Sequence, residues 1–394
     1  MYLIMFILIC GASIIEICNF NSLFQKFVIG FITVMFILVA GLRYETGVDW
    51  RVYTSMFEDT PPINEISDPL GRVLIFSSID YGYCIFISVV KSIHGSIQAV
   101  FFIISLIGSI FVYKSVKIYS DGRIMSMLLY FSLLFFILDM SGLRQGFALS
   151  IFFYSLQYVY KRKFWPYLVL LLLAGSFHWS AYLLIPLYFL ISKRFSNLVL
   201  TCIFLISLSI FMLKIGWLQF VFVHIFSGFS NEFIASKIFT YTDTYESGRG
   251  FSANTIASII FYVSTFILCL YYRLNLEGKN KYFNMFLNIY MCQVVSYFAL
   301  YEFIEMADRL RLYFLIANLI LLPSMVFVFI SLKERVLIYT YLIAFAFFSC
   351  KPYVLNEQVT IAYHPYQNFI IYNLFDLKST GAERLDEHAR IHEE

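Results

Sequence analysis

The sequence predicts an all-α, polytopic membrane protein with about twelve transmembrane helices, some short or broken, and large external loops. Three observations lead there. Of 394 residues, 60% are hydrophobic and only 13% charged, where soluble domains carry about 25% charged residues. The mean hydropathy is +0.78. The apolar runs are continuous and approach the roughly 20 residues that a helical crossing needs; they do not alternate as barrel strands do. This composition excludes an ordinary soluble enzyme and a disordered chain. The net charge of +3 is too small for a phosphate-backbone partner, so no nucleic acid is expected.

Twelve apolar segments follow in order, at about 2–19, 27–42, 97–117, 124–139, 145–160, 165–178, 179–192, 196–213, 254–272, 284–302, 309–330 and 335–350. The first lacks a basic leader and a small-residue cleavage site, so it reads as a retained span. The sixth and seventh are too short to cross singly. They read as a broken pair meeting at Phe177-His178-Trp179, with Gly175 and Pro186 as candidate breakers. The stretch Tyr83 to Val90, ended by Lys91, reads as a helix lying at or dipping into the surface. Residues 1–377 form one membrane domain in this reading, and the polar segment 378–394 is a mobile tail. Seven scattered cysteines show no metal-ligand spacing and read as small core residues, so neither a metal nor a cofactor is expected.

Charge orients the set. Lys26, Lys114, Lys117, Arg123, Lys161, Arg162, Lys163, Lys193, Arg194, Arg273, Lys279, Lys281, Lys333 and Arg335 fall in one family of short loops with only three acids. The positive-inside rule makes those loops cytoplasmic. The opposite loops, about 43–96, 214–253 and 351–377, are long and rich in acids, and would face outward together with both termini.

Charged groups at the external ends of spans are the candidates for function, because charge at membrane depth is costly. Arg43, Asp49 and Tyr53 begin where the second segment ends; a carboxylate and a phenol suit sugar hydroxyls, and a guanidinium suits phosphate. The alternative is an aromatic belt with an ordinary ion pair. Arg144 and Gln145 lie between Gly142 and Gly146; Arg144 fits a diphosphate clamp, against snorkelling or a pair with Asp139. His178 is a candidate base, or a third phosphate contact, against a hydrogen-bonded core histidine. Glu302, Glu305, Asp308, Arg309 and Arg311 gather at one boundary. Their spacing argues that mutual pairing does not satisfy them all, leaving Arg309 or Arg311 for a second phosphate. Tyr363 to Tyr366 and the loop Thr240 to Arg249 are weaker candidates for a lid and read better as surface. His94 and His224 read as interfacial.

These residues form a recognisable order. R-x-x-x-G-x-D-x-x-x-Y spans 43–53, D-x-G spans 80–82, L-R-Q-G-F-A spans 143–148 and F-H-W-S-A-Y-L-L-I-P-L-Y spans 177–188. R-L-R-L-Y-F at 309–314 and Y-H-P-Y at 363–366 complete it. From about residue 40 to about 370, the chain resembles the EpsG-like branch of the Wzy-type polysaccharide polymerases, departing from the common pattern at Trp50, Asp80 and Tyr81.

The resemblance implies a glycosyltransferase of the bacterial cytoplasmic membrane, with a fold like those of the enzymes that use lipid-linked sugars. Its substrates would be undecaprenyl-diphosphate-linked oligosaccharides, both as donor and as acceptor, joined on the external face into O-antigen or exopolysaccharide. A chain-length regulator protein is an implied partner. In that scheme Arg144 with Arg309 or Arg311 clamps the diphosphate and His178 serves the acceptor, while Arg43, Asp49, Tyr53, Gln145, Glu302 and Tyr366 bind substrate. An O-antigen ligase or a transporter of lipid-linked glycan are the alternatives.

Overall fold

The computed structural model describes residues 1–17, 22–65, 80–218, 220–221, 249–329, 331–355 and 357–393. Among them there are helices and no strands, apart from an isolated backbone bridge between Arg43 and Asn368. Each of the twelve apolar segments is mostly helical over its described residues. Among the described residues, four helices are long and apolar enough to cross a membrane: Leu23–Gly41, Ile97–Tyr119, Ala253–Tyr271 and Lys333–Leu355. Ile304–Phe314 and Ile316–Val326, bent by 44°, make a fifth if the pair counts as one span.

Twelve full crossings are therefore not established, and the reason is length. Helices such as Tyr2–Ile17 and Asn197–Met212 have 16 residues. At 1.5 Å per residue they fall short of the roughly 30 Å hydrocarbon layer. The long helices nevertheless behave as lipid-facing elements. Phe27, Phe31, Ile260, Leu337 and Phe348 are all more than half exposed, a surface that water would disfavour and lipid accepts. The chain is a multi-pass membrane protein.

Contacts divide it into two compact units, Met1–Tyr188 with Leu322–Glu394, and Phe189–Leu321. The first unit is built around Leu143–Tyr160, a helix buried on nearly every side by Ile97–Tyr119, Phe164–Phe177 and the π-helical segment Phe131–Asp139. A helix so enclosed has no reason to be amphipathic. The helix Arg123–Tyr130 has its first turn held by Glu16, whose carboxylate accepts from the backbone N–H groups of Ile124 (3.0 Å) and Met125 (3.1 Å) and from the Tyr339 hydroxyl (3.2 Å). An anion at a helix N-terminus satisfies amides that the helix itself leaves open. This one contact ties the first helix to the last long one.

The chain after Gly41 is stitched to the C-terminal region. Tyr44 N donates to Gln367 O, Gly47 N to Ala362 O and Phe369 N to Leu42 O, each within 2.9 Å. Gly47 has φ +102°, and a Cβ there would sit 2.0 Å from the Met140 carbonyl oxygen, so only glycine fits. Residues 378–394, expected as a mobile tail, contain the helix Gly381–Glu393. It is docked by Arg384 on the Glu45 carbonyl (3.1 Å), Ser379 on the Glu45 carboxylate (2.5 Å) and Asp386 on Arg51 (2.8 Å).

In the second unit, Glu277 takes both Arg194 (3.0 Å) and Arg273 (2.8 Å). Arg273 also bonds Asn197 and Asn284. Two arginines counted as orientation signals thus also fasten helix ends.

Candidate active site

The break expected at Phe177-His178-Trp179 is present, and it creates the site. The helix Phe164–Phe177 ends because His178 is extended (φ −153°, ψ 110°), and a 3-10 helix, Trp179–Phe189, begins after it. The Trp179 N–H is thereby released from the helical ladder, and it donates to Asp80 Oδ1 at 3.1 Å.

Asp80 stands at the N-cap of the helix Tyr81–Ser92. An aspartate there ordinarily bonds its own helix amides, worth about 0.5–2 kcal/mol, but Asp80 makes no such bond. Its carboxylate turns to other elements instead. Oδ2 accepts from Arg144 Nη1, and His178 Nδ1 lies 3.9 Å from the same oxygen. Arg144 opens the helix Leu143–Tyr160, so three separate elements converge on one carboxylate.

Gly82 makes this approach possible. A Cβ on it would lie 2.2 Å from Ser176 Oγ and 3.0 Å from the Ser176 carbonyl carbon. The Tyr81–Ser92 helix therefore packs on the end of Phe164–Phe177 directly against Ser176, with no side chain of its own at position 82. The expected result for Gly82→Ala is a folded, membrane-inserted protein with activity lowered at least about tenfold, since small misplacements of catalytic groups are costly. Comparing product and protein level in the same membranes checks it.

Rings close the back of the cluster. The Arg144 guanidinium carbon lies 5.8 Å from the Tyr53 ring centroid and 5.9 Å from that of Tyr83, within cation–π range. Phe177 packs on Tyr83 and, at 4.7 Å, on Phe147. Burial raises the Tyr53 and Tyr83 phenols above their ordinary values; Arg144 and Arg43 both pull them the other way. Several buried polar atoms here have no hydrogen-bond partner: both ring nitrogens of His178, Nε of Arg144, the Tyr83 hydroxyl, and Nε and Nη2 of Arg43. Buried polar groups are nearly always paired, and exceptions concentrate at functional sites. The Arg144 side chain keeps 27% exposure beside Asp80 at 7% and His178 at 10%, so it is the member a ligand reaches first.

Other expected site residues fall as follows. Arg43 is fully buried; it donates to the Asp139 carbonyl and stacks at 4.4 Å on Phe101. Asp139 pairs with the Tyr130 hydroxyl (2.8 Å) and not with Arg144. Tyr53 and Gln145 are buried beside Arg144, while Asp49 is half-buried at the start of Tyr53's helix. The 363–366 segment is framework: Tyr363 bonds Ser141 (2.7 Å), and Tyr366 bonds the Val39 carbonyl (3.1 Å).

Glu302, Arg309 and Arg311 lie in the second unit. Glu302 is buried and accepts from Leu218 N at 3.0 Å; Arg309 pairs with Glu305, and Arg311 with Asp308 at 3.0 Å. Mutual pairing thus does not serve all five, as the spacing argued: a backbone amide from elsewhere meets Glu302, while both arginines have carboxylate partners. Asp308 also takes Arg249 (2.5 Å), and both arginines stand over the Tyr297 ring. Residues 240–248 and His224 lie outside the described residues.

Sequence reasoning about charge alone passed over Asp80, and Arg249 entered it only as the end of the loop from Thr240. The signal for Asp80 was the D-x-G spacing, whose glycine marks a close approach. Among the described residues, no three His, Cys, Asp or Glu side chains are grouped to hold a metal ion.

No curated protein and no solved structure matches the chain, so the expected likeness to folds that use lipid-linked sugars finds no support. The family comparison does match, across residues 26–368 and therefore over every element of the Asp80 cluster: the chain belongs to the EpsG family.

Proposed function

We propose that this protein is a polysaccharide polymerase that transfers a growing glycan from its lipid diphosphate onto a new lipid-diphosphate-linked repeat unit, at the external face of the cytoplasmic membrane. EpsG membership supports the polymerase class. The observation that carries the chemistry is the meeting of Arg144 and His178 on Asp80.

A lipid-diphosphate donor brings its own leaving group. The protein must then neutralise charge developing on the diphosphate and orient an acceptor hydroxyl, which is positioning and electrostatics. Arg144, forked and permanently charged, is the diphosphate ligand. His178, whose ring nitrogens are unpartnered, takes the proton of the acceptor hydroxyl. Tyr53 and Gln145 pack beside Arg144. Arg309 and Arg311 are candidate anion ligands within the second unit. The bilayer supplies both lipid-linked substrates, and a chain-length regulator is the proposed protein partner.

Deleting the gene tests the reading. The expected surface glycan is a single repeat unit, restored to a ladder by the intact chain. Failure of single units to reach the surface would indicate a transporter, and accumulation of unattached lipid-linked polymer would indicate a ligase.

A further inference from the structure

We infer that Asp80 is a positioning residue that changes partner during the reaction, releasing Arg144 to the diphosphate and taking His178 in its place. The inference rests on the polymerase reading of the site.

The two carboxylate oxygens do different work. Oδ1 is held by the Trp179 backbone N–H at 3.1 Å, which fixes the carboxylate in place. Oδ2 faces two cationic or potentially cationic groups but bonds only one. Arg144 has it; His178 Nδ1, at 3.9 Å, stands just beyond hydrogen-bond reach, and neither ring nitrogen has another partner. A phosphate oxygen competes directly with a carboxylate for a guanidinium, and Arg144 is the most exposed of the three side chains.

Once Arg144 turns to the ligand, the buried carboxylate gives up that ion pair, which is unfavourable. Movement of His178 Nδ1–H onto Oδ2 relieves it over a short distance. That bond fixes the imidazole tautomer with its proton on Nδ1 and leaves the Nε2 lone pair free.

The transfer then balances. The acceptor O–H breaks and its proton goes to Nε2. The acceptor oxygen forms the bond to the anomeric carbon. The bond from that carbon to the diphosphate oxygen breaks, and its electron pair leaves with the diphosphate, beside Arg144. The imidazolium is paired with Asp80. The base is thus complete only when a diphosphate is bound.

The test uses the full-length protein, purified in lipid nanodiscs, with lipid-diphosphate-linked repeat unit isolated from gene-deleted cells. In Asp80→Asn, the amide oxygen keeps the Trp179 contact but cannot hold an imidazolium. The expected result is kcat lowered at least about tenfold, with KM unchanged or lower because Arg144 is already free, and partial recovery in Asp80→Glu. A raised KM with unchanged kcat would show Asp80 to be only an anchor for Arg144 and would overturn the exchange.

A second measurement does not depend on the variant folding. With ¹⁵N-labelled histidine in the wild-type protein, addition of undecaprenyl diphosphate is expected to bring up one protected Nδ1–H signal, assigned by its loss in His178→Gln. A His178 signal unmoved by the diphosphate overturns the proposal. Full activity of Arg144→Ala would instead sink the underlying polymerase site, so the two failures are told apart.

Discussion

Arg144→Ala is expected to abolish the polymer ladder, with turnover reduced about 10³-fold, equivalent to about 4 kcal/mol of transition-state stabilisation. The size follows from where the charge develops. The diphosphate gains negative charge as its bond to the anomeric carbon breaks, and a preorganised cation in a low-dielectric site acts most strongly at that moment. Arg144 is preorganised by Asp80 and by the Tyr53 and Tyr83 rings. Arg144→Lys keeps the charge but loses the planar fork, and a lysine cannot present two parallel donors to two phosphate oxygens. Strongly shortened ladders are expected from it. Near-normal ladders from a well-expressed Arg144→Ala protein would remove Arg144 from the mechanism.

His178→Ala is expected to lower kcat by about 10²–10⁴-fold, the usual range for loss of a general base, with little change in KM. The backbone argument predicts that the fold survives. His178 serves the break through its own N–H, which donates to Ala174 O, and through its extended conformation, which alanine also adopts. The Trp179 N–H keeps its bond to Asp80. Measured chain length and protein level in complemented cells decide the matter: unaltered chain length at equal expression would make His178 a bystander.

Much of the helical framework was legible from hydropathy, because lipid demands internally satisfied backbone and apolar side chains over long runs. The twelve segments are mostly helical over their described residues, and the Phe177-His178-Trp179 break was visible as two apolar runs too short to stand alone. The number of crossings was not legible. A run of apolar residues looks the same whether it faces lipid or is enclosed by other helices, as Leu143–Tyr160 is. Nor was the docking of the C-terminal helix, since a polar segment and a docked polar helix have the same composition; only the partners of Arg384, Ser379 and Asp386 distinguish them.

The site divides in the same way. The sequence by itself determined that this is a helical membrane protein, and that Arg144 and His178 are charged or titratable groups with no orientation role to explain them. It carried the family in the order of its motifs. The tertiary structure decided that Arg144 and His178, 34 positions apart, share one carboxylate, and that the carboxylate is Asp80. It also decided that Arg43 is packed inside and that Arg309 and Arg311 already have partners. The reason is physical. Composition and hydropathy are sums over neighbours in the chain, whereas an ion pair is set by which helix ends meet. Here that meeting depends on a glycine with no side chain at 82, and on a helix that stops at 177.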